Sequence, residues 1–126
     1  MENNSVVIKT FNAQFLECMQ DIYKIYPENK KLKKYVRYIE SIKKVNPSVI
    51  LQTWKKHAGR YENDFVNDSI DLFLEKNYKE EFGGKLTQIE LIIDELRELI
   101  RTTTKENRDR SFNYIKNLTE LSKHYV

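Results

Sequence analysis

Apolar residues return every three or four positions through most of the chain. Phe11, Phe15, Cys18, Met19, Ile22 and Tyr26 fall on one stripe, the spacing that lines one side of an α-helix. This predicts a first helix that begins near Ser5 or Thr10 and stops at Tyr26, because the residue before Pro27 is pushed out of helical geometry. Leu32, Tyr35, Val36, Ile39 and Ile42 form the stripe of a second helix. Asn46-Pro47 then reads as an N-cap followed by proline at the first helical position. Ile50, Leu51 and Trp54 line a third helix, predicted to end at Ala58-Gly59 with the glycine in a left-handed cap. Tyr61, Phe65, Leu72, Phe73 and Tyr78 form a fourth segment whose period slips around Asn67-Asp68, which predicts a kink or two short helices.

Gly83-Gly84 is the clearest break. Beyond it Thr87 and Glu90 have the spacing of a capping box, with Leu86 and Leu91 placed for a hydrophobic staple. Ile89, Ile93, Leu96 and Ile100 continue that helix. Thr104 is positioned to cap a last one, carried by Phe112, Ile115, Leu118, Leu121, Ser122 and Tyr125. No stretch alternates as a strand would, and no segment repeats. The expected fold is all-α: a single compact bundle of five to six amphipathic helices in one domain spanning 1–126, with a possible hinge at 83–84. At 126 residues one core suffices. Three glycines and two prolines agree with a mostly helical chain, since average usage of both is several-fold higher.

The single cysteine, Cys18, excludes an internal disulfide and a cysteine-based zinc site. No run of apolar residues approaches the roughly 20 needed to span a bilayer, so no membrane segment is expected. The first residues carry neither a basic region nor an apolar one, so no signal peptide is expected. An intracellular location follows, and the sequons at Asn3, Asn67 and Asn117 then carry no weight.

Little in the chain suggests catalysis. His57 and His124 are the two histidines, and neither has a metal-ligand spacing. His57 lies near a predicted helix C-terminus, where the dipole stabilises an imidazolium. Gly84-Lys85-Leu86 fails as a phosphate loop, because position 79 is lysine, position 86 is leucine and no strand precedes it. The Asp94-Glu95 pair reads as a solvated helix face. A non-enzymatic protein with no cofactor, no metal and no small-molecule substrate is the expectation.

Charge changes that picture. The formal net charge is +3, yet residues 24–60 carry eleven Lys or Arg against two acids, and residues 61–100 four against eleven. Within residues 30–44 there are seven cations and only Glu40 against them. On a helical wheel Lys30, Lys33, Lys34, Arg37 and Lys44 lie between roughly 100° and 200° from Leu32, opposite the apolar stripe. Lys55 and Lys56, with Arg60, would extend this basic face if the second and third helices lie side by side. The counterpart is an acidic face of Glu62, Asp64, Asp68, Asp71, Glu75, Glu80 and Glu81.

Three readings fit the basic face. The plainest is a solvated surface, although such surfaces usually mix signs. The second is sequence-independent nucleic-acid binding, with several phosphates neutralised at once and Tyr38 at the edge to stack on a base. Lysine dominates, and specific base reading favours arginine. The third is a protein contact, in which the acidic face of a neighbouring copy or a partner meets the basic one. Eight tyrosines favour contacts, with Tyr35 expected against the core and Tyr38 and Tyr114 more exposed. The favoured reading is protein–protein association, with nucleic-acid binding as the alternative.

The motifs Phe11-x-x-x-Phe15-Leu16, Ile25-Tyr26-Pro27-Glu28 and Lys43-Lys44-Val45-Asn46-Pro47 occur in that order. They are followed by Asp71-Leu72-Phe73-Leu74-Glu75-Lys76-Asn77-Tyr78 and the terminal Tyr114-Ile115-x-x-Leu118-x-x-Leu121-Ser122-x-x-Tyr125. Together they span nearly the whole length, and their order resembles a small all-helical protein family of the nucleocytoplasmic large DNA viruses. The resemblance implies a viral, non-enzymatic helical protein, with a virion component among the expected roles. It carries over no catalytic residue.

Overall fold

A computed structural model describes residues 4–67, 69–75 and 86–126. Every regular element in that range is helical: α1 (Asn4–Ile25), α2 (Lys30–Val45), α3 (Val49–Ala58), a 3-10 turn (Gly59–Tyr61), α4 (Glu62–Val66), α5 (Asp71–Glu75), α6 (Gln88–Thr102) and α7 (Lys105–Lys123). The chain is an all-α bundle. Gly83 and Gly84, the expected hinge, lie outside the described residues, as does Tyr78.

The long axis of the bundle is the antiparallel pair α1 and α7. Arg110 clamps both oxygens of Asp21 at 2.7 and 2.9 Å, Tyr114 donates to Glu17 at 3.3 Å, and Asn4 exchanges two hydrogen bonds with the backbone of Val126. These contacts run in opposite senses along the two helices and fix their register from end to end. α2 folds back on α1, and α3 packs on α7, α1 and α6.

Between them lies one continuous core. Trp54 sits at its centre, with ring centroids about 6 Å from Phe11, Phe15 and Phe73. Tyr61, Phe65 and Phe112 extend the ring network from Phe73. Edge-to-face and tilted geometries of this kind add to the transfer energy of the rings, each worth roughly 1.5–3 kcal/mol when fully buried.

The ends of the helices follow local chemistry, with two departures. The capping box is present: the Thr87 hydroxyl accepts from the Glu90 backbone at 3.2 Å, and the Glu90 carboxylate accepts from Thr87 N–H at 2.9 Å. Thr104 caps α7 by accepting from Asn107 N–H. Asn46 does not cap α3. Its N–H donates to Ile42 at 2.7 Å, which makes it the C-cap of α2, and Ser48 precedes α3 instead. The α2–α3 joint is so short that Asn46 is spent closing the helix before it. Gly59 is not a left-handed cap either. Its φ of −56° is right-handed, because the chain continues into the 3-10 turn and carries Tyr61 into the core.

The period slip near Asn67 resolves into the two short helices α4 and α5. Five residues cannot hold a helix alone. α5 is held by Phe73 and Leu74, both 2% exposed, whereas Leu72 points outward. Tyr38 and Tyr114 are half-buried against the core rather than exposed, and Tyr35 is buried as expected. No helix among the described residues is long and apolar enough to cross a membrane.

Candidate functional site

The outer face of α2 is the most distinctive surface of the molecule. Asn29 starts the helix by accepting from Leu32 N–H at 3.1 Å. Leu32 and Ile39 are fully buried, Tyr35 nearly so, and Val36 and Ile42 are half-buried. That anchors one side and turns the other to solvent. Lys30, Lys33, Lys34, Arg37 and Lys44 are all exposed, and none has an acidic partner among the described residues. From Lys30 to Lys44 the stripe runs roughly 21 Å at 1.5 Å per residue. Lys31, at its margin, reaches Glu95 of α6 at 3.5 Å.

The third helix does not prolong this stripe. Lys55 and Lys56 are exposed, but α3 packs on α7 rather than along α2. Lys55 Nζ donates to the Tyr125 carbonyl at 2.7 Å and lies 5.9 Å from the Tyr125 ring centroid. Its charge therefore serves the C-terminal end of the chain.

The acidic residues divide. Glu62 is taken by Lys123 at 2.8 Å. Asp64 is half-exposed, while Asp71 and Glu75 stand exposed on α5 without an ion pair among the described residues. Asp68, Glu80 and Glu81 lie outside the described residues.

Three buried groups were not legible as such in the sequence. His57 is 2% exposed and its Nε2 touches a carboxylate oxygen of Glu90. Burial pushes the imidazole below its ordinary value; Glu90 pulls the other way, and Lys56 and Arg60 reinforce the burial. This is the reverse of a dipole-stabilised imidazolium. Burial would raise the Glu90 carboxyl, but the Thr87 backbone and hydroxyl and the His57 ring together hold it below its ordinary value. Glu90 thus closes the capping box with one oxygen and meets His57 with the other.

Arg97 is 6% exposed. Its guanidinium donates to the Leu74 carbonyl at 2.6 Å and to Asp94 at 2.5 Å. A fixed fork of donors suits the last carbonyls of a short helix, and here it fastens α5 to α6. Asp94 is therefore a structural partner rather than part of a solvated pair. Burial, with Asp21 and Glu17 nearby, pushes the Cys18 thiol up to about 12, far from the thiolate a nucleophile needs. No group of three or more His, Cys, Asp or Glu among the described residues could hold a metal ion.

No known protein family, no curated protein and no solved structure matches the chain.

Proposed function

We propose that this protein is a non-enzymatic assembly module whose α2 outer face docks on the acidic surface of a second copy. The observation that carries the reading is the stripe of five exposed cations without an acidic partner among the described residues. A purely solvated face usually mixes signs. The complementary surface is on the same chain: Asp71 and Glu75 stand exposed on α5, which packs on α6 and not on α2. A basic patch and an acidic patch at different places on one molecule make a head-to-tail contact, which closes into a ring or extends as a filament. Opposed charge sets register and encounter rate in such contacts. Val45, 81% exposed at the end of the stripe, supplies an apolar anchor beside the charges. With the resemblance to helical proteins of the large DNA viruses, the role proposed is that of a minor structural component of a virion.

Nucleic-acid binding through the same face is the second reading, favoured by the single sign of the stripe. Against it stand the half-buried Tyr38, which packs on the core instead of offering a ring to a base, and a stripe with one arginine among lysines. Sedimentation velocity over a concentration series separates the two. The assembly reading predicts self-association without nucleic acid at about 50 mM salt, as a closed ring or a growing filament, that weakens at about 200 mM. A monomer at both salts that binds a labelled DNA duplex, steeply weakened by salt, would favour the second reading instead.

A further inference from the structure

The seam between α1 and α2 is closed along most of its length by Leu32, Tyr35, Ile39 and their neighbours. It opens at the end. The next position on the inner side of α2, four residues beyond Ile39, is Lys43, which is half-buried. A cation at this position does not continue the apolar stripe into the core. A groove of about 550 Å³ lies there, walled by α1 and the α2–α3 joint. That is within the roughly 300–1,000 Å³ range of small-molecule sites.

Three features define what the groove would hold. Lys9, Lys43 and Lys44 surround it, and none has an acidic partner among the described residues. Ile8 and Pro47 give it an apolar lining. Asn12, 6% exposed, stands in its wall. The Asn12 amide donates through Nδ2 to the Pro47 carbonyl at 2.9 Å. A carbonyl can only accept, so this bond fixes the orientation of the amide. Oδ1 is buried and has no hydrogen-bond partner.

We propose that this groove is a binding site for a phosphate monoester with a compact, partly apolar body. The phosphate would sit among the three ammonium groups, and the body would lie on Ile8 and Pro47 beside the fixed amide of Asn12. Two sources share that chemistry, a nucleoside monophosphate and the headgroup of a lysophosphatidate. The site is separate from the docking face, with only Lys44 in common. Sequence patterning carries no sign of it, because Asn12 and Pro47 come together only when α2 folds back on α1.

The test is titration of the ¹⁵N-labelled full chain, followed by amide resonances, with adenosine 5′-monophosphate, a short-chain lysophosphatidate below its micellar concentration, and inorganic phosphate. Expected are saturable shifts from one of the two esters below about 1 mM, confined to residues 5–13 and 42–46. Inorganic phosphate should bind at least tenfold more weakly than that ester. Replacing Lys9, Lys43 and Lys44 together by glutamine should weaken the ester at least tenfold. Whichever ester binds identifies the source. The proposal is overturned by no saturable shift from either ester, by shifts mapping elsewhere, by phosphate binding as tightly as the esters, or by unchanged affinity in the triple variant.

Discussion

The indole N–H of Trp54 donates to the hydroxyl of Thr119 at 3.1 Å, and that hydroxyl donates in turn to the carbonyl of Ile115 at 2.8 Å. Both residues are buried, so one hydroxyl ties α3 to α7 while remaining bonded to its own helix. Thr119→Val keeps the shape and removes the acceptor, leaving the indole N–H buried without a partner. The expected loss is about 1–3 kcal/mol of stability, read from a urea midpoint. Trp54 is the only tryptophan, so its fluorescence reports directly on the site. A midpoint equal to the wild type would mean that the hydrogen bond contributes nothing net.

The buried pair of His57 and Glu90 sets an acid limit on the fold. In the unfolded chain these groups take up protons near their ordinary values of 6.5 and 4.5, whereas in the folded chain both lie lower. On acidification the unfolded state therefore binds protons first. Stability is full above about pH 6.5, falls below that through His57, and falls further below about pH 4.5 through Glu90. His57→Gln should flatten the dependence between about pH 6.5 and 5 and leave the lower step in place. Urea midpoints at several pH values check this, and an undiminished slope in the variant would assign the upper step to another group.

Gly59 holds a right-handed φ of −56°, and a Cβ built on it meets nothing within 4 Å. Glycine spends extra conformational entropy at such a position without using its freedom. Gly59→Ala should therefore stabilise the protein by about 0.4–1 kcal/mol, again seen as a higher denaturant midpoint. A lower midpoint would show that the 3-10 turn depends on the missing side chain.

What was legible in the sequence was local. The stripes of α1, α2, α6 and α7, the Thr87–Glu90 box and the slip at Asn67 are written in residues three or four positions apart, and helix formation reads those intervals directly. What was not legible came from contacts between distant residues. His57 looked like an end-of-helix cation because nothing nearby announces Glu90, which reaches it from another helix. The burial of Arg97 has no local signature, since its carbonyl partners lie on α5, a short helix distant in the sequence. Gly59 was misread because a glycine after a helix suits a left-handed cap, and only the burial of Tyr61 shows why the chain stays right-handed. On the candidate surface, the stripe from Lys30 to Lys44 was legible from the wheel alone. The direction taken by Lys55 was not, because it depends on α3 packing against α7.

The central claim is that the α2 face and the exposed carboxylates of α5 recognise each other between copies, and a charge swap followed by sedimentation velocity tests it most directly. One variant carries Lys33→Glu, Lys34→Glu and Arg37→Glu; a second carries Asp71→Lys and Glu75→Lys. All five side chains are exposed, so both variants should keep the fold, which circular dichroism verifies. Each variant alone should associate at least tenfold more weakly than the wild type at low salt. Mixed in equal amounts, they should recover association with each other, since each lends the face the other lacks. Two reversed variants that associate as the wild type does, or a mixture that stays monomeric, would contradict the account.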